Sequence, residues 1–184
     1  MSYAATLGGL SALIAVVSFL TFSPMLALVS CALGWTMLAI AATDLRWFIV
    51  PDLLSLPAIP AGLLAAPLLD PTRGPSSSLL EHAGAAVLGG AALYAVRYAY
   101  YSIRKREGLG LGDVKLAAAA GAWTGPEGLG LVLLLACLLA IAAVVLTHLR
   151  QLRMPHGTTA VAFGMFLAPS IWLVWCLGSP RLYQ

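Results

Sequence analysis

Two of the seven acidic residues in this 184-residue chain stand apart from the rest. Asp44 ends a long apolar run, and Asp113 closes the stretch Glu107-Gly108-Leu109-Gly110-Leu111-Gly112-Asp113 just before an alanine-rich one. Each lies where an apolar segment meets a polar loop, and ionisable groups at such depth are costly and usually functional. Two carboxylates converging in a partly dry pocket cannot both ionise cheaply, so they share one proton. The ionised member can take a proton from water while the protonated member polarises a peptide carbonyl, which is aspartic-protease chemistry. Each also has a plain structural reading, since Asp44 can pair with Arg46 and Asp113 can cap the helix that follows it. Gly110 and Gly112 favour the chemical reading, because glycine beside a carboxylate permits unusual backbone angles and the close approach of a substrate backbone. A lone G-x-G-D is not specific by itself.

The elements that must position these carboxylates are membrane helices. Of all residues 61% are apolar and 9% charged, against roughly 25% charged in a soluble domain. Such a chain cannot cover a water-exposed globule and uses lipid as solvent. The expected fold is all-α, a polytopic membrane helix bundle of about seven transmembrane segments in a single domain over 1–184. The segments are 4–22, 24–43, 53–69, 79–101, 114–124, 128–149 and 158–177. The fifth covers only about half of the ~20 residues a span needs, so it is tilted, re-entrant or sheltered by neighbours.

Charge sets the orientation. With a cytoplasmic N-terminus and seven crossings, the inner loops hold Arg46, Arg104, Lys105, Arg106, Lys115, Arg150 and Arg153, and the outside only Arg73 and Arg181. Seven against two obeys the positive-inside rule, whereas a re-entrant fifth segment gives five against four. Asp44 and Asp113 then share the cytoplasmic face, and the C-terminus lies outside. A net charge of +3 scattered over short loops excludes nucleic acid as a partner.

The remaining residues receive structural readings. Small residues four apart, Ala85 with Gly89 and Ala117 with Gly121, let helix backbones approach closely. Cys31, Cys137 and Cys176 lie in apolar runs and are expected to be buried free thiols. His82, His148 and His156 show no metal-ligand spacing and are expected to be interfacial, so no metal is expected. Trp35, Trp47, Trp123, Trp172 and Trp175, with Tyr94, Tyr98, Tyr100 and Tyr101, are expected to form belts at the membrane surfaces. Lys115 either acts electrostatically on an aspartate or snorkels to the interface. Asp52 orients the Val50-Pro51 turn or contacts a basic substrate segment.

The string Asp44-Leu45-Arg46-Trp47-Phe48-Ile49-Val50-Pro51-Asp52, followed by Gly108-Leu109-Gly110-Leu111-Gly112-Asp113-Val114-Lys115, resembles the type IV prepilin peptidases. That family consists of membrane aspartyl proteases whose first aspartate precedes an Ile/Leu-Pro-Asn/Asp element and whose second ends a G-x-G-D motif followed by a lysine. The likeness covers most of residues 40–177, and 1–39 supply an additional helix and the start of the second. It implies that Asp44 and Asp113 are catalytic, with Pro51, Asp52, Gly110, Gly112 and Lys115 in support and no cofactor. The implied substrate is a prepilin or pseudopilin with a basic leader, a glycine before the cut and a hydrophobic helix. Cleavage is then expected at the cytoplasmic edge of a bacterial-type inner membrane. A Pro-Phe-Gly-Pro-like element opening the last helix is echoed by Phe163-Gly164-Met165-Phe166-Leu167-Ala168-Pro169 with its prolines displaced, and no catalytic role is drawn from it.

Family members also carry an N-terminal cytosolic domain with paired C-x-x-C motifs, associated with methylating the new N-terminus. Nothing in this sequence corresponds to it, so peptidase activity alone is expected. Two other readings compete. One is a presenilin-like intramembrane protease, against which Thr43 before Asp44 and the late Leu167-Ala168-Pro169 both count. The other is a transporter or secretion-system scaffold that uses the two carboxylates as a proton relay. Oligomeric state is left open.

Overall fold

The computed structural model describes residues 3–69, 74–151 and 162–178, and among these every regular element is helical. The helices are α1 (Tyr3–Thr21), α2 (Pro24–Trp47), α3 (Asp52–Leu69), α4 (Pro75–Arg104), α5 (Leu111–Gln151) and α6 (Gly164–Gly178). Four contain stretches long and apolar enough to cross a bilayer, Ala4–Thr21, Pro24–Trp47, Pro75–Arg104 and Leu111–Thr147, while α3 and α6 are shorter and apolar. The protein is a multi-pass membrane helix bundle.

Proline and backbone handedness punctuate the chain. Pro24 and Pro75 open α2 and α4, where a missing N–H costs no helical bond. Phe48 ends α2 in the left-handed region, φ 53°, and its N–H closes the last turn on the Asp44 carbonyl at 2.9 Å. Pro51 then disfavours helix at Val50, and its carbonyl starts α3 by accepting the N–H groups of Leu54 and Ser55.

The expected segments 114–124 and 128–149 fall on the two arms of α5, which is two helices joined at a sharp break. The break falls at Gly125, φ 64° and ψ −173°, followed by Pro126. Twelve residues of unbroken helix would separate Ala117 from Leu129 by about 18 Å. Instead both lie against Gly89 of α4, so the second arm turns back along the first. Pro126 has no N–H for the carbonyl of Ala122, and His82 Nδ1–H donates to that oxygen at 2.9 Å. His82 is thus half-buried at the break of α5.

Packing of α4 on α5 follows the small residues. A methyl on Gly121 would fall on the backbone of Ala85, and one on Gly89 on the carbonyl of Ala117. The expected pairs, Ala85 with Gly89 and Ala117 with Gly121, therefore form the seam itself. The core lies among α2, α5 and α6, around Met37, Ile40, Leu116, Val132, Leu167 and Ile171. Ser18 and Ser30 hydrogen-bond at 2.9 Å and Trp172 Nε1–H donates to Ser30 at 3.2 Å, which ties α1, α2 and α6 together.

The aromatic-belt expectation divides. Trp35, Trp47 and the four tyrosines of α4 are exposed, but Trp123, Trp172 and Trp175 are core residues. Trp123 meets Trp175 edge-on at 5.1 Å, and its Nε1–H donates to the Ala58 carbonyl of α3 at 2.7 Å, so a polar handle inside the bundle is satisfied. Of the thiols Cys31 is buried and Cys176 partly so, whereas Cys137 is exposed, contrary to expectation. His156 lies outside the described residues, as does the side chain of His148.

Candidate active site

Asp44 belongs to the last turn of α2 and Asp113 to the first turn of α5, and both are buried, at 5% and 8% exposure. Asp44 Oδ2 accepts the Met165 N–H at 2.8 Å, across 121 residues of sequence. Asp113 accepts the backbone N–H of Gly110. Asp113 therefore reaches back to the residue before α5 and does not stand at the N-cap position that the structural reading gave it. The charge of Asp44 bears directly on Asp113.

One side chain links the surroundings of the two carboxylates. A methyl on Gly112, next to Asp113, would strike Val50 Cβ at 2.5 Å and Cγ2 at 2.9 Å. A methyl on Gly164, next to Met165, would meet the same Cγ2 at 3.0 Å and Asp44 Oδ2 at 2.9 Å. Two glycines from distant parts of the chain thus close on Val50, and the aspartates they adjoin come with them.

The supporting residues expected from sequence sort as follows. Gly112 is required by close approach to Val50, and Gly110 provides the N–H for Asp113. Pro51 starts α3 through its carbonyl. Lys115 and Asp52 bind each other, Nζ to Oδ1 at 2.5 Å, joining the first turns of α5 and α3. The guanidinium of Arg46 lies over the Trp47 ring at 6.0 Å.

Sequence reading passed over three residues that hold this site. Arg97 of α4 donates to the Leu109 carbonyl at 2.7 Å and to Glu107 at 2.9 Å, which clamps the loop leading to Asp113. Tyr100, one turn on, leaves no room for a side chain at Gly108, where a methyl would fall 2.5 Å from its ring. A basic residue three-quarters along a long apolar helix was the available signal for Arg97. The third is Met165, whose signal was the Phe163-Gly164 echo. Among the described residues no group of three or more His, Cys, Asp or Glu gathers as a metal site would require.

Residues 31–146 match the type IV leader peptidase family. The chain belongs to that family. It is 35% identical over 183 residues to a prepilin leader peptidase/N-methyltransferase of Aeromonas salmonicida, covering 95% of this chain and 58% of that protein. A protein of the same name from Pseudomonas aeruginosa is 35% identical over 142 residues, 77% of this chain and 46% of its own length. The Escherichia coli K12 relative is 36% identical over 134 residues, 71% and 55% of the two chains. The chain therefore spans about half the length of these family members. No solved structure matches. The family match includes both aspartates and Arg97, and it ends before Phe163, so the start of α6 joins the site on geometry alone.

Proposed function

We propose that this chain is a membrane aspartyl endopeptidase that removes the leader of a type IV prepilin or pseudopilin, with Asp44 and Asp113 as the catalytic pair. The observation that carries this reading is the convergence of two buried carboxylates, from α2 and α5, about Val50. Membership of the leader peptidase family and the relatives' names supply the substrate class, and they favour neither the presenilin-like nor the relay reading.

In the proposed reaction the two carboxylates hold one proton between them. The ionised one takes a proton from water as the water oxygen bonds to the scissile carbonyl carbon, and the other gives its proton to the carbonyl oxygen. The tetrahedral diol then returns a proton to the dyad as its C–N bond breaks, and the leaving amine takes one up. One water is consumed, and the pair ends with the single proton it began with. No cofactor enters. Hydrolysis of this kind transfers no methyl group, so the reading covers the peptidase half of the relatives' names alone.

The proposed orientation places the N-terminus, the 44–52 turn and the 105–110 loop on the cytoplasmic side of an inner membrane and the C-terminus outside. The bias of basic residues supports it. An apolar groove of about 480 Å³ between α2 and α3, lined by Val29, Thr36, Leu53, Pro57 and Leu64 with Trp123, would receive the substrate's hydrophobic helix. Its α3 side begins one residue after Asp52, at the end of the bundle that carries Asp44. The small residues of α4 and α5 pack against each other instead.

The test is cleavage of a co-expressed prepilin, read by mass spectrometry of its new N-terminus. Asp44→Asn and Asp113→Asn are each expected to abolish processing while accumulating normally in membranes. Wild-type processing by either variant would end the proposal. The same spectrum reports any added methyl group.

A further inference from the structure

The start of α6 offers two backbone donors with no partner in their own helix. Leu167 and Phe166 donate to the Phe163 carbonyl at 3.0 and 2.9 Å, which makes Phe163 the residue capping α6. The N–H groups of the first turn that follows, beginning at Gly164 and Met165, have no intrahelical acceptor. Capping side chains are normally Ser, Thr, Asp or Asn, whose oxygen reaches these groups. Phenylalanine has none. The oxygen comes instead from α2, where Asp44 Oδ2 takes the Met165 N–H at 2.8 Å and the carboxylate also takes the Gly164 N–H.

Two further observations show how tightly the arrangement is held. Gly164 has no space for a side chain, because its Cβ would lie 2.9 Å from Asp44 Oδ2 and 3.0 Å from Val50 Cγ2. The backbone of Asp44 is fixed as well, since its carbonyl takes the N–H of left-handed Phe48. The positive end of the α6 peptide dipoles therefore faces a carboxylate whose main chain cannot shift to escape it.

We infer that Gly164 and Met165 are positioning residues of the peptidase: their backbone N–H groups lock the Asp44 carboxylate through Oδ2 and leave Oδ1 to the attacking water. This rests on the reading of Asp44 as catalytic. α6 thereby becomes part of the catalytic apparatus, and the identity of residue 165 matters only through its N–H, whereas residue 164 must lack a side chain.

The contrast between Met165→Pro and Met165→Leu isolates the N–H. Proline is accepted in the first turn of a helix, and Gly164 lacks the Cβ that would clash with its ring. Steady-state cleavage of a prepilin with a basic leader and a glycine before the cut, by the purified full chain in proteoliposomes, gives kcat and KM separately. Met165→Pro and Gly164→Ala are expected to lower kcat about ten-fold or more with KM changed less than about two-fold, as for a charged hydrogen bond lost at the reacting group. Met165→Leu is expected to match wild type. Wild-type kcat for both Met165→Pro and Gly164→Ala, with Asp44→Asn inactive, overturns the inference and spares the catalytic reading. An active Asp44→Asn removes both. Met165→Leu impaired as much as Met165→Pro, with melting temperatures falling in step, marks an ordinary packing role and also overturns it. Should Met165→Pro not accumulate in membranes, Gly164→Ala against Met165→Leu decides on the same criteria.

Discussion

Charged side chains around the site differ in what they contribute, and exposure decides how much. The Lys115–Asp52 pair is short, but its members are 30% and 62% exposed. Solvent-screened pairs of this kind contribute about 0–1 kcal/mol. Lys115→Ala is therefore expected to lower the melting free energy by no more than about 1 kcal/mol, and Asp52→Asn to do the same. A double variant no worse than either single one, in a thermal melt in detergent, would show that each acts only through the other. Gly112→Ala is a different matter, since Val50 stands where the methyl would go and Val50 is itself held before Pro51. Overpacking there is expected to cost about 1–3 kcal/mol and to displace Asp113, so activity falls further than stability. At this scale the sequence was legible where a residue type stands out against its surroundings. Asp44, Asp113 and Gly112 could be read from their neighbours. Lys115 was not, because its partner lies 63 residues away and two plausible roles near Asp113 masked a third.

Helices bring these residues together through breaks as much as through regular runs. The break in α5 leaves the Ala122 carbonyl without its helical donor, and His82 replaces it. Removing that donor in His82→Ala strands a buried carbonyl and is expected to cost about 1–3 kcal/mol, measured by chemical denaturation. The 105–110 loop depends in a similar way on Arg97, which holds one backbone carbonyl and one carboxylate at once. Arg97→Met keeps much of the side-chain volume and is expected to reduce cleavage about ten-fold while the fold persists, as for lost charge-assisted hydrogen bonds. Leucine at Gly121 should fail outright, because the obstacle is the backbone of Ala85 and not a side chain that can turn away. Hydropathy gave most helix boundaries within a few residues, the expected start of the last segment at 158 lying outside the described residues, and small-residue spacing gave the α4–α5 seam. The reversal within α5 was implied by separate crossings at 114–124 and 128–149, but the task of His82 could not be read, since it follows from which carbonyl Pro126 leaves unpaired. A histidine viewed alone on α4 carries no sign of that carbonyl.

Across the whole molecule, composition settled the solvent before any motif was considered. Exposed Leu, Val and Phe side chains ring α1 and α4, which only lipid can accommodate. The indoles show the limit of such reasoning, because a tryptophan near a helix end can face headgroups or a neighbouring helix, and Trp123, Trp172 and Trp175 take the second course. The proposed orientation can be checked with Cys31, Cys137 and Cys176 replaced by alanine and a single cysteine returned at either face. Arg106→Cys is expected to react with a membrane-impermeant maleimide only in inverted vesicles, and Ser76→Cys only in right-side-out ones. The opposite pattern would place the dyad on the wrong side of the membrane for a leader that begins in the cytoplasm. The isopropyl group of Val50 touches the margins of both halves of the site at once. It fills the space between Gly112 and Gly164, the two glycines beside the carboxylates. Isoleucine there is expected to push the two glycines apart and alanine to let them close, so a neutral residue that donates no proton and binds no ion would set the gap between the proposed catalytic pair.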